Sequence, residues 1–178
     1  MRKAVKEWAK THIFIGQKNL KISHGENIFI KDCKNVEICD NATVKNIYGN
    51  ATVENIRDNA TVENIRDNAT VKYIRDNATV ENICDNATVN YICDNATVEN
   101  ICGNATVKNI CGDATVNYIR GNATVNNIYG TATVKGIYDN ATISSRPLFE
   151  WSNSALLIIS DNATFKDCYS KTIYQAGG

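Results

Sequence analysis

A chain of 178 residues has the length of one domain, and its 19 basic and 19 acidic residues cancel, so no global field draws nucleic acid or an anionic membrane to it. Hydrophobic residues at 43% and charged residues at 21% fit a packed core and exclude a charge-rich disordered polymer. No apolar run approaches the roughly 20 residues that cross a bilayer, and the opening MRKAVKEWAK lacks the apolar stretch of a secretion signal, so a cytoplasmic product without membrane contact is expected.

Residues 1–16 read as a short amphipathic helix with Val5, Trp8 and Ala9 on one side, suited to capping a core. Residues 17–40 carry NLKI from Asn19, NIFI from Asn27 and NVEI from Asn35, eight residues apart, and are expected to form irregular opening coils. Residues 41–143 are a repeat of period nine. Twelve consecutive units run from Asn41 to the one opened by Asn140, with consensus Asn-Ala-Thr-Val-x-x-Ile-x-Asp/Gly. Residues 144–178 hold a loop insertion, two degenerate units from Asn153 and Asn162, and a closing cap built on Trp151, Leu156, Leu157, Ile158 and Phe165.

Self-similarity at a fixed short period specifies an array of stacked supersecondary units. Within a unit, Ala and Val two residues apart flank an outward Thr, as strand alternation requires, and Ile three residues later is expected to begin a second short strand after a corner. Helix is disfavoured. Val, Ile, Thr, Asn, Asp and Gly are poor helix formers, and the Asp/Gly-Asn step every ninth residue favours left-handed turns. Nine residues are too few to enclose a core, so two units per coil are expected, giving an all-β, single-domain parallel β-solenoid of about 18 residues per coil. The period resembles that of the nonapeptide calcium-binding β-rolls. Their Gly-Gly-x-Gly-x-Asp signature is absent, so the resemblance implies period and stacking, and no calcium ligands or other cofactor.

Stacking turns each repeat position into a file. The asparagines at position one, Asn41, Asn50, Asn59, Asn68, Asn77, Asn86, Asn95 and Asn104, are expected to form structural ladders that hold the bends. Eleven Asn-Ala-Thr triplets would be glycosylation acceptors in a eukaryotic secretory pathway, and glycans on every unit would collide, which agrees with the expected compartment. The Thr files invite comparison with the insect antifreeze solenoids, yet those carry Thr-x-Thr, whereas here Lys, Glu or Asn stands two residues after Thr.

Parity separates two faces. Odd units place an acidic file, Glu63, Glu81 and Glu99, on one. Even units place Arg57, Arg75, Tyr73, Tyr91 and Tyr129 on the other, a Tyr/Arg set of the kind enriched at protein interfaces. Cys84, Cys93, Cys102 and Cys111 stand nine apart, so same-face pairs are Cys84 with Cys102 and Cys93 with Cys111. Free thiols are the default for them, with disulfides geometrically allowed and zinc excluded by the count of two per face. The loop residues Arg146, Leu148, Phe149 and Trp151 are a further candidate contact, since they alone leave the repeat.

No phosphate loop, nucleophile elbow or histidine within a repeat points to catalysis, so a non-enzymatic scaffold or inhibitor that binds another protein through its patterned faces is expected. In logic it resembles the pentapeptide-repeat solenoids that occupy protein clefts, which implies a phage or bacterial interaction protein. A fibre or polymer subunit, associating as a homo-oligomer through a flat face, and an ice binder using the Thr files are the alternatives. Nucleic acid is disfavoured because Lys and Arg are not concentrated into a phosphate track.

Overall fold

In the computed structural model, residues 12–144 are described in full, together with the backbone of three short strands at 157–159, 164–166 and 173–175. The expected N-terminal cap helix falls mostly outside the described residues. So does the loop with Arg146, Leu148, Phe149 and Trp151, along with the side chains of the C-terminal cap.

The chain forms a parallel β-solenoid of two sheets. Its opening strands are β1 (Ile13–Ile15), β2 (Lys21–Ile22), β3 (Ile28–Lys31), β4 (Val36–Ile38) and β5 (Thr43–Tyr48). Ten strands of five residues follow at every ninth position: β6 (Thr52–Ile56), β7 (Thr61–Ile65), β8 (Thr70–Ile74), β9 (Thr79–Ile83), β10 (Thr88–Ile92), β11 (Thr97–Ile101), β12 (Thr106–Ile110), β13 (Thr115–Ile119), β14 (Thr124–Ile128) and β15 (Thr133–Ile137). The last are β16 (Thr142–Ser144), β17 (Leu157–Ile159), β18 (Thr164–Lys166) and β19 (Ile173–Gln175). Odd-numbered strands make a ten-stranded sheet and even-numbered strands a nine-stranded one, so successive units alternate between sheets. A coil is therefore two units, and register partners such as Val62 and Val80 lie one coil apart, 18 residues along the chain.

Each unit is one bent strand rather than two strands meeting at a corner. Val is buried, the next two side chains leave the core, and Ile is buried again, as in Thr52–Ile56. The two consecutive outward residues supply the bend that the sequence pattern assigns to a corner, while ladder hydrogen bonds continue through Ile to position eight. Ala, Val and Ile from both sheets meet in one dry core, with Ala60, Val62 and Ile65 representative at 0% exposure.

The turn between sheets is set at position nine. Arg57 O accepts from Ala60 N at 3.2 Å, closing a turn whose second residue, Asp58, has φ 59. Asp at this position also binds the coil before it: Gly49 N donates to Asp67 Oδ2 at 2.9 Å, and Asp40 N donates to Asp58 Oδ2 at 3.1 Å. Glycine holds the slot at Gly49 and again at Gly103, Gly112, Gly121 and Gly130. At Gly103, φ is +64 and an added Cβ would fall 2.8 Å from the Asp85 nitrogen.

The opening coils are shorter, with Ile13 opposite Phe29, and widen to the regular length through register shifts at Ile28/Phe29 and Val36/Glu37. Asn19, Asn27 and Asn35 provide the left-handed turn residues there, at φ 55, 56 and 55. Near the other end Ile137 pairs with Ile159, a separation of 22 residues, which places the extra four residues between strands β16 and β17 without breaking either sheet.

Candidate functional site

The regular units present outward files at positions one, three, five, six and eight. Thr stacks on Thr in register on both sheets, for instance Thr61 on Thr79 and Thr88 on Thr106. Position one forms amide ladders: Asn95 Nδ2 donates to Asn77 Oδ1, and Asn104, Asn122 and Asn140 each donate to the asparagine one coil earlier, at 3.3 to 3.4 Å. The remaining position-one residues of the expected set, Asn41, Asn50, Asn59 and Asn68, occupy the same exposed turn site as Asn86, which accepts from Asn104. These asparagines decorate the bend; the left-handed residue that makes it is the Asp or Gly just before them.

A second asparagine ladder runs along position six. On the ten-stranded sheet Asn64 Nδ2 donates to Lys45 O, Asn82 to Asn64 Oδ1 at 3.2 Å and Asn100 to Asn82 Oδ1 at 3.2 Å, and Asn100 is 91% buried. Asn127 donates to Asn109 Oδ1 at 3.1 Å on the other sheet. Sequence reasoning passed over this file; its signal is the Asn that stands immediately before Ile in most units.

On the ten-stranded sheet, Glu63 meets Lys45 at 3.7 Å, while Glu81 and Glu99 are exposed. The acidic file therefore starts with a neutralised member. Arg66 lies over the Tyr48 ring at 5.1 Å, and Tyr118 and Tyr138 approach with ring centroids 6.0 Å apart. Cys84 and Cys102 form a disulfide between neighbouring coils, Cα atoms 4.7 Å apart, so the default expectation of free thiols fails at this pair. The cause is the ladder itself, which holds same-file residues within bridging range.

On the nine-stranded sheet the structure brings together part of the expected patch. Tyr73 and Tyr91 stack, with centroids 5.2 Å apart and planes 19° from parallel. Lys72 Nζ lies 5.5 Å from the Tyr73 centroid and 3.4 Å from Glu54. Arg75 donates to Asn55 Oδ1 and meets Asp76 at 3.7 Å. Arg57 is held more tightly, with Nε on Glu37 at 2.9 Å and Nη1 on Asp58 at 2.7 Å; the Glu37 hydrogen bond holds its guanidinium above the ordinary range. Its donors serve the fold first. Tyr129 stands farther along, 43% exposed, and partial desolvation and the Cys111 thiol raise its hydroxyl to about 12.

Between Arg75 and Tyr129 lie Cys93 and Cys111, both unbridged and half-buried. Desolvation, then the charge of Asp94 and the neighbouring Cys111, push the Cys93 thiol up to about 12. Cys39, Asp40 and Asp58 place three potential donor atoms within 4.8 Å of one another. Burial and the Asp40 carboxylate raise the Cys39 thiol, and Asp58 is already taken by Arg57 and the Asp40 amide, so the trio serves as a hydrogen-bonded corner.

No helix of the described residues is long and apolar enough to cross a membrane. No family model, curated protein or solved structure matches this chain, so the array itself carries the functional reading.

Proposed function

We propose that the solenoid is a non-enzymatic protein-binding scaffold, of the inhibitor or adaptor type, whose contact surface is the nine-stranded sheet around Tyr73, Tyr91 and Arg75. The carrying observation is the stacked Tyr73–Tyr91 pair, flanked by Lys72 and Arg75 on a face that every coil holds in register. Stacked tyrosines offer a large, rigid, amphipathic area at small entropic cost, and Tyr and Arg dominate interface hot spots. Glu54, Glu37 and Asp58 neutralise neighbouring cations, so complementarity of shape outweighs charge. Charged residues beside the Thr files weigh against ice as the ligand.

The test is comparative capture from the cells that make the protein, with the folded wild type beside Tyr73→Ala/Tyr91→Ala and beside Glu81→Lys/Glu99→Lys. A specific partner retained by wild type and by the acidic-face variant, and lost by the tyrosine variant, supports the reading. Identical recovery by all three rejects the nine-stranded face. A size measurement across protein concentration separates a scaffold, which keeps one mass, from a polymer subunit, which grows.

A further inference from the structure

The cysteines of the nine-stranded sheet stand in the same register as the bridged pair opposite. Cys84 and Cys102 follow Ile83 and Ile101, which pair across parallel strands, and Cys102 N donates to Ile83 O at 2.8 Å. Cys93 and Cys111 follow Ile92 and Ile110, which pair identically, and Cys111 N donates to Ile92 O at 2.9 Å. Half a coil relates one pair to the other. A disulfide accepts Cα separations of about 4.4–6.8 Å, and a parallel ladder with strands about 4.8 Å apart meets that condition for same-file neighbours. The bridged pair has 4.7 Å. Cys93 and Cys111 remain thiols and are half-buried, whereas the free cysteines Cys33 and Cys39 are fully buried. Side by side and reachable from solvent, they make a dithiol poised for oxidation.

We propose that Cys93 and Cys111 are a thiol-oxidation site that forms a second, reversible cross-coil disulfide with a low-molecular-weight disulfide such as glutathione disulfide. The Cys111 thiolate attacks one glutathione sulfur, the S–S bond of the oxidant breaks, and one glutathione leaves as its thiol. Cys93 gives up its proton and attacks the Cys111 sulfur, expelling the second glutathione, which takes a proton. Two protein thiols become one disulfide as one glutathione disulfide becomes two thiols. Desolvation and the Asp94 charge, which the first step leaves in place, disfavour the Cys93 thiolate and make the second step the slow one at neutral pH. Tyr129, which neighbours the Cys111 thiol, loses that partner on oxidation, so the change is read at the surface. The site is a property of the ladder and stands whether or not the face binds a partner.

Trypsin separates the two cysteines. Cys84, Cys93 and Cys102 share the peptide 76–108, and Cys111 lies in 109–120. The folded protein is incubated with glutathione disulfide at pH 8, blocked with an alkylating reagent and mapped without reduction. The expected result is peptide 76–108 joined to 109–120, separated again by dithiothreitol. In the Cys84→Ser/Cys102→Ser variant Cys93 is the one cysteine left in 76–108, and the joined species should persist. Cys93→Ser should abolish it. Separate peptides in the wild type and in the double variant, with folding verified by circular dichroism, would overturn the proposal.

Discussion

At position nine one side chain meets two demands. Asp67 turns the chain at φ 58, and its Oδ2 accepts the Gly49 amide of the coil before it. Asparagine keeps both the left-handed tolerance and an acceptor, glycine keeps only the first, and alanine keeps neither. Chemical denaturation should therefore rank Asp67→Asn as mildest, Asp67→Gly next at about 1 kcal/mol, and Asp67→Ala worst at about 2–3 kcal/mol, by adding a lost hydrogen bond to left-handed strain. Alanine no worse than glycine would show that the left-handed turn costs nothing there, and glycine as mild as asparagine would show that the acceptor is irrelevant. Cys93 makes the second residue-scale case. Its folded thiol titrates near 12 against an ordinary value of 9.0, so the fold favours the protonated form. The associated stability is fully present below pH 9 and is lost as pH rises toward 12, because the unfolded chain ionises first. Iodoacetamide at pH 8 should label Cys93 in the folded protein at under a tenth of the rate found in denaturant, as peptide mass spectrometry would measure. Equal rates would remove the desolvation argument.

The strand is the element on which packing and recognition meet, because its five residues commit Val and Ile inward and leave positions five and six outward. Tyr73 on β8 and Tyr91 on β10 are register partners, so their stack adds cross-strand stability beyond their ladder bonds. A double-mutant cycle with Tyr73→Ala and Tyr91→Ala should give a coupling of about 0.5–1.5 kcal/mol. No coupling would mean that the rings lie apart in solution. Much of this element was readable from the repeat: Ala, Val and Ile as core, Thr as ladder, and parity as the division between faces. The bend was misread as a corner because periodicity reports which residues are buried, and two consecutive outward positions look alike whether the strand ends or merely kinks. The position-six ladder and the Asp-to-amide bonds escaped for another reason. Asn and Asp serve turns, caps and ladders alike, and only the coil-to-coil distance selects among those roles. The Tyr73–Tyr91 stack follows directly from residues 18 apart sharing a file, whereas the capture of Arg57 by Glu37, like that of Arg75 by Asn55, joins positions eight and six of neighbouring coils, a diagonal that the repeat period does not single out.

Along the whole molecule, identical core positions make the fold indifferent to how many units it holds, while the two faces depend on whether that number is odd or even. Removing 86–103 deletes one coil and keeps every later unit on its own sheet. Removing 86–94 deletes half a coil and moves every later unit to the opposite sheet, yet the Ala, Val and Ile presented to the core are unchanged. Both deletions should fold with native-like β-sheet circular dichroism, each less stable than the parent because fewer interfaces between coils remain. Their disulfides should differ. In the half-coil deletion Cys84 stacks on Cys111 and the two can bridge, since the unit opened by Asn104 now joins the ten-stranded sheet. In the full-coil deletion Cys111 stays on the nine-stranded sheet beneath Arg75, and Cys84 faces Arg120 without a partner. Non-reducing peptide maps of the two proteins would distinguish these outcomes. A Cys84–Cys111 link in the full-coil deletion, or its absence in a folded half-coil deletion under oxidising conditions, would contradict the two-units-per-coil geometry on which both faces, the tyrosine stack and the cysteine pairs depend.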